Sequence, residues 1–200
     1  VLRRQRRSSR KTEGRARTKD KLAALRAATI LNRGGAIAHY THTLPGAAAN
    51  PRIPASVARL INFKQRKGPF LLLADSVKTA AGLIRYYSPE LRRIIRDSWP
   101  GPYTLVVPAK PGLTPVCYRG GMAAIRVDAS LQTRQLASAC GGLLLSSSLN
   151  RRGRTTADVN RKVRMRWHSY LSAALPGPVS SGKASVLLRV WRNDSTIIRP

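Results

Sequence analysis

The sequence predicts an α/β domain built on a twisted, mixed sheet with helices on its faces, and three observations carry that expectation. Apolar runs of strand length recur at 70–74, 103–108, 123–127, 142–145 and 186–190. Segments with apolar residues at helical spacing lie between them, and the alternation lacks an even βαβ rhythm, so part of the sheet is expected to be antiparallel.

Taken in order, Leu22, Leu25, Ala28, Ile30 and Leu31 fit a helix that Arg33-Gly34-Gly35 stops. Ala36-Ile37-Ala38 reads as a short buried strand entering the polar turn His39-Tyr40-Thr41-His42-Thr43, followed by the small-residue stretch Gly46-Ala47-Ala48-Ala49. Pro54 to Phe63 forms a second helix with Val57, Leu60 and Ile61 on one face, ending at the basic segment from Lys64 to Lys67. Phe70 to Ala74 has the continuous apolar pattern of a strand buried on both faces. Ser76 to Tyr87 and Pro89 to Trp99 read as helices, the second capped by Ser88 and broken by Trp99-Pro100-Gly101-Pro102. A second basic stretch, 151–166, is expected to be a loop that enters a helix at Thr156 or Asp158.

Charge is the anomaly of the composition. The 200 residues hold 37 Lys and Arg against 8 Asp and Glu, a net charge of +29. Residues 1–26 contribute eleven cations and two acids, so the other 174 residues still carry +20. We therefore expect a basic, flexible arm over 1–21, a domain over 22–200, and a polyanionic partner for the folded body as well as for the arm.

Several classes of chemistry lack their residues. The eight acids are scattered, without the close pair that a glycosidase or a two-metal site requires. Cys117 and Cys140 stand apart, read as small buried residues, and no metal site is expected. His39 and His42 are read as turn or surface residues. No Gly-x-Ser-x-Gly elbow, Walker loop or Gly-x-Gly-x-x-Gly is present. The sequence has no apolar run of about 18 residues, so no membrane span is expected, and a cytoplasmic location follows; an Arg-rich organelle transit segment is the alternative for the first residues.

Three constellations fit anion chemistry, each beside a plainer reading. Lys64-x-Arg66-Lys67 at a helix end is either an anion pocket or a solvated terminus favoured by the helix dipole. Ser146 to Asn150, after an apolar strand, is either a ligand-binding strand end or a polar turn. Arg126, inside an apolar strand, either meets a ligand anion or faces outward, with Asp128 as its nearest acid.

In their order these segments resemble the YrdC-like threonylcarbamoyl-AMP synthase family over roughly residues 22–200. Gly34 to Ala38 with Thr41 and Gly46 is similar to its opening strand and threonine turn, and Phe63-Lys64-Gln65-Arg66 to its K-x-R motif. Trp99-Pro100-Gly101-Pro102-Tyr103-Thr104 is the most specific match; Ala124 to Val127, Ser146 to Asn150, and Ser185 with Arg199-Pro200 resemble the remaining elements. The chain departs from the pattern at His39, Tyr40, His42 and Pro45, at Ala48 to Asn50, and at Arg151-Arg152.

The resemblance implies a YrdC-like twisted mixed sheet around a basic cavity. It also implies an enzyme joining L-threonine, bicarbonate and ATP into threonylcarbamoyl-AMP and pyrophosphate, for modification of a tRNA adenosine next to the anticodon. Thr41, Arg66, Lys67, Arg126 and Ser185 would hold threonine and its carboxylated form. Lys64, Ser146, Ser148, Asn150 and Arg199 would contact ATP, Lys64 and Arg66 would serve catalysis, and Mg2+ would arrive with the nucleotide. RNA and tRNA-modification proteins are the expected partners. The alternative is a non-catalytic relative that binds structured RNA or a ribosomal particle through its charge.

Overall fold

The computed structural model describes residues 21–151, 153–177 and 180–200. The expected basic arm lies, except for Lys21, outside the described residues.

A first helix, α1, runs through 21–32 and buries Ala24, Ala27, Ala28 and Leu31, a stripe at helical spacing that differs from the expected one because Leu22 and Leu25 face solvent. Alanines let this helix sit close to the sheet. It ends in a Schellman turn: Gly34 takes φ +89°, Gly34 N–H donates to the Leu31 carbonyl and Gly35 N–H to that of Ile30.

The strands are β1 (Ala36–His39), β2 (Gly46–Ala49), β3 (Leu71–Ala74), β4 (Tyr103–Pro108), β5 (Tyr118–Arg119), β6 (Met122–Val127), β7 (Leu143–Ser148), β8 (Ala173–Leu175), β9 (Val186–Trp191) and β10 (Asp194–Arg199). Their order in the sheet is β10-β9-β4-β6-β3-β7-β2-β1-β8, with β5 paired to β6. The pairs β1/β8, β3/β6 and β4/β9 are parallel and the others antiparallel, the mixed sheet that the uneven alternation predicts.

The remaining helices are α2 (Pro54–Lys64), α3 (Val77–Gly82), α4 (Pro89–Ser98), α5 (Leu131–Ala139) and α6 (Arg161–Arg166). Ser76, Ser88, Ser130 and Asn160 accept a backbone N–H at the starts of α3, α4, α5 and α6. Helix α3 stops well before Tyr87, because the Leu83 carbonyl accepts from Lys110 N–H and Arg85 N–H donates to the carbonyl of Pro108, the last residue of β4. Helix α6 starts at Arg161, later than expected, where Asn160 supplies the cap.

Alternation along the central strands separates two cores. Ala36, Ala38, Ala47, Leu72 and Leu145 pack with Phe63, Leu60 and Trp167 on one face. Ile37, Ala48, Leu73 and Leu144 pack with α1 and with Leu136 of α5 on the other. Both cysteines are buried, which pushes their thiols up to about 12 and leaves neither as a nucleophile at neutral pH. No described helix is long and apolar enough to cross a membrane.

Candidate functional site

The second face changes character partway along. Under α1 and α5 it is apolar, but Leu73 pairs directly with Arg126, and two residues beyond Leu144 on the same face stands Ser146. On β4 and β9 the same face carries Thr104, Val106, Leu187 and Arg189. These positions line a cavity of about 760 Å3 whose cations are Arg66, Arg119, Arg126, Arg189 and Arg199, with no Asp or Glu among its lining residues.

Arg126 forms its floor. The side chain is buried: one terminal nitrogen lies 2.6 Å from Asp128 Oδ2, and the other donates to Thr43 Oγ1 at 2.7 Å. Asp128 is held in turn by the backbone N–H groups of His42 and Ser130, each 2.9 Å from Oδ1. Nε of Arg126 has no hydrogen-bond partner among the described residues, and desolvation lowers the guanidinium from its ordinary range. The outward-facing alternative for Arg126 is thereby excluded.

The threonine turn has a fixed hydrogen-bond direction. Thr41 gives its one hydroxyl hydrogen to the Leu44 carbonyl at 2.7 Å, so Thr43 Oγ1, which accepts from Arg126, donates to Thr41 Oγ1 3.1 Å away; Thr41 also accepts from Thr43 N–H at 3.2 Å. Thr41 lines the cavity with its hydroxyl already engaged.

Ser146, Ser147 and Ser148 are strand residues, paired with Ala48, Ala47 and Gly46 of β2, and all three line the cavity. They are neither a turn nor a loop after the strand. His39, expected in a turn or at the surface, is buried at the end of β1, with Nε2 3.1 Å from Ser146 Oγ. Burial, its largest cause, lowers the pKa of His39 to about 4, so its ring is neutral at pH 7. His42 is exposed, as expected.

Arg66 follows Gln65, whose φ of 53° ends α2 and turns the chain. It stacks 4.6 Å over Phe70, donates to the Pro69 carbonyl at 2.8 Å and reaches Ser147 Oγ at 3.3 Å. Arg199 enters from β10 and donates to the Ser185 carbonyl at 2.8 Å, and Thr104 donates to Ser185 Oγ at 2.9 Å.

Of the expected site residues, Thr41, Arg66, Arg126, Ser146, Ser148, Ser185 and Arg199 converge on this cavity. Lys64 and Asn150 stand behind its wall. Lys64 is buried and spends its three hydrogens on the Ser148 carbonyl at 2.8 Å, Asn150 Oδ1 at 2.5 Å and the Asn150 carbonyl. In this structure both residues hold the end of β7 and leave the lining to others. Lys67 is exposed and absent from the cavity lining; it lines an adjoining depression with Asn62, Gln65, Tyr170 and Arg66, the residue the two hollows share.

Thr43, Thr104, Arg119 and Arg189 were not anticipated, and Ser147 only as a member of the Ser146 to Asn150 run. Arg189 carries the same signal as Arg126, one arginine in an apolar strand.

Hydroxyls and guanidinium groups around a polar hollow suit phosphate and carboxylate oxygens. The model of the Sua5/YciO/YrdC family, described as telomere recombination, matches residues 29–200. A threonylcarbamoyl-AMP synthase of Halorhodospira halophila is 34% identical over 180 residues, which are 82% of this chain and 92% of that protein. The crystal structure of P. abyssi Sua5 complexed with L-threonine superposes with a TM-score of 0.80 at 22% identity over 90% of this chain, which spans 54% of the Sua5 chain. E. coli YciO superposes with a TM-score of 0.79 at 17% identity, covering 90% of this chain and 89% of its own. The family model over 29–200 and a relative 34% identical over 92% of its own length agree: the chain belongs to the Sua5/YciO/YrdC family.

Proposed function

We propose that this chain is a threonylcarbamoyl-AMP synthase, joining L-threonine, bicarbonate and ATP into threonylcarbamoyl-AMP with release of pyrophosphate. The observation that carries this reading is the convergence of Arg66, Arg126 and Arg199 with Ser146–Ser148 on one cavity, in a chain 34% identical to a synthase over 92% of that protein.

In this reading the threonine amine and bicarbonate form a carbamate with loss of water. A carbamate oxygen then attacks the α-phosphorus of ATP; a P–O bond forms, the bond to the bridging oxygen of the β-phosphate breaks, and pyrophosphate leaves. Two anions must meet, so the chain's task is to neutralise charge and align the approach. Arg126, braced by Asp128, suits the threonine carboxylate beside the Thr41–Thr43 turn. Arg66, Arg199 and the β7 serines suit the phosphates, with Lys64 and Asn150 fixing the strand end that presents Ser148. Ser185 joins the Arg199 side, and Lys67 is left outside the reaction. The donor set fits phosphate oxygens better than a bare cation, so Mg2+ would come as part of the nucleotide, coordinated by phosphate and water.

The product would serve tRNA adenosine modification in the cytoplasm, handed on to tRNA-modification proteins. The test is pyrophosphate release that requires both threonine and bicarbonate and falls about a hundredfold with Arg66→Ala, the scale of losing one charged stabilising group. Absence of such turnover in the purified chain would overturn the reading.

A further inference from the structure

The cavity does not use the most exposed aromatic residues of the fold. Tyr86 and Tyr87 lie in the segment between α3 and α4, and Trp191 ends β9; all three are exposed. Tyr86 meets Trp191 in a T-shaped contact with centroids 6.4 Å apart. The two segments are tied together by Ser88 Oγ, which donates to the Arg192 carbonyl at 2.6 Å. Arginines interleave with these rings: Arg85 precedes Tyr86, Arg92 stacks 5.4 Å from the Tyr87 centroid, and Arg192 follows Trp191, all of them exposed.

The patch is continuous with the cavity. Leu187, Arg189 and Trp191 alternate along one face of β9; the first two line the cavity, and Arg189 and Trp191 together line a neighbouring depression of about 480 Å3. Asp194, which pairs with Trp191 across the strands, Thr196, Ile197 and Ile198 form the rest of the wall of that depression.

We propose that this patch binds a single-stranded segment of RNA, whose bases stack on Tyr86 and Trp191 while its phosphates meet Arg85, Arg92 and Arg192. Exposed rings among cations are the two components of a sequence-tolerant single-strand site, because every base has a π-face and every linkage a charge. The chain's +29 supplies long-range attraction for a polyanion. Asp194 decides between nucleic acids. A carboxylate repels phosphate, but it accepts a hydrogen bond from a ribose 2′-hydroxyl, which DNA lacks.

The full chain carries its own reporter. Trp99 and Trp167 are 6% and 9% exposed, whereas Trp191 is 44% exposed, so quenching of tryptophan fluorescence by a stacked base reports chiefly on Trp191. Titration with a 12-nucleotide oligo-U is expected to quench it, whereas inorganic polyphosphate and a poly-glutamate peptide bind by charge without quenching. Tyr86→Ala is expected to weaken oligo-U binding about tenfold with polyphosphate binding unchanged, and Trp191→Phe to abolish the quenching while retaining most of the affinity. Oligo-dT is expected to bind several-fold more weakly than oligo-U.

Binding of oligo-U without quenching, affinity indifferent to Tyr86→Ala, or a preference for poly-glutamate would overturn the inference, and equal affinity for oligo-dT would overturn its assignment to RNA. Threonine-dependent pyrophosphate release is expected to persist in Tyr86→Ala. That assay also separates a failure here from a failure of the synthase reading, since neither Tyr86 nor Trp191 lines the catalytic cavity.

Discussion

His39 on β1 reaches across β2 to Ser146 on β7, Nε2 to Oγ at 3.1 Å, through space that Gly46 leaves by having no side chain. The other ring nitrogen, Nδ1, is buried without a partner among the described residues. The Ser146 contact is the ring's side-chain hydrogen bond among the described residues, one group donating and the other accepting.

The first prediction follows from the neutrality of that ring. Its folded pKa of about 4 lies below the ordinary 6.5, so below pH 6.5 the unfolded chain binds the extra proton first. The contribution of His39 to stability is complete above pH 6.5 and is lost as pH falls toward 4, in total about 3 kcal/mol at 1.36 kcal/mol per pKa unit. Urea unfolding at pH 7 and pH 4.5 is expected to show a fall that shrinks in His39→Gln. An equal fall in both proteins would refute the assignment.

Gly46→Ala tests the same relationship from the opposite side. An added Cβ would sit 2.8 Å from Ser146 Oγ and 2.9 Å from His39 Nε2, closer than real contacts allow. The two side chains must part, and the variant is expected to lose about 1–3 kcal/mol, as in other overpacked interiors. Nucleotide affinity is expected to fall with it, measured by calorimetry with a non-hydrolysable ATP analogue. Unchanged stability would mean that the passage over Gly46 is looser than the distances indicate.

Elements whose pattern is local were legible in the sequence. Leu71–Ala74 is apolar because both faces of β3 are covered, and α4 announces itself by Ser88, Pro89 and the Trp99-Pro100-Gly101-Pro102 stop. Other elements depend on neighbours. Gly46–Ala49 shows in the sequence only as a small-residue stretch and becomes a strand because β1 and β7 pair with it on either side. Strand β10 is exposed at every residue, so it shows no alternation, and α5 mixes polar and apolar residues without a clear stripe. At the site, Arg126 and the serines stood out as polar residues in apolar runs. The burial of Lys64 and of His39 was invisible, since each is set by β7, whose partner residues lie 84 positions from Lys64 and 107 from His39 in the chain.

Lys64 gives an alkaline counterpart. Burial, then the charge of Arg66, lowers its ammonium from 10.5 to about 8. Above pH 8 it keeps two hydrogens for three oxygens, Ser148 O, Asn150 O and Asn150 Oδ1, and the end of β7 loosens. Pyrophosphate release is therefore expected to decline on an alkaline limb near pH 8. Stability moves the other way: with the folded pKa below the unfolded one, the unfolded chain holds more protons between about 8 and 10.5, so folding gains as pH rises. Relative to Lys64→Met, the parent chain is expected to gain urea resistance between pH 8 and pH 10. A flat difference across that range would show that the three oxygens hold the proton against burial.

The buried pair Arg126–Asp128 is expected to respond asymmetrically to loss of either partner. In Asp128→Asn the amide oxygen can keep the two backbone donors, but its NH2 then faces the guanidinium, donor against donor, and Arg126 is left as a buried charge without its counterion. The expected cost is about 3–5 kcal/mol. In Arg126→Met the carboxylate retains the N–H groups of His42 and Ser130, which stabilise its charge, so the expected cost is smaller, about 1–3 kcal/mol. Activity reverses the order. Arg126→Met removes the group that suits the threonine carboxylate and is expected to raise the KM for threonine by tenfold or more while ATP affinity stays nearly constant. Guanidinium chloride unfolding and initial-rate kinetics on the two variants decide it; equal destabilisation, or an ATP effect as large as the threonine effect, would overturn the proposed contact of Arg126 with the threonine carboxylate.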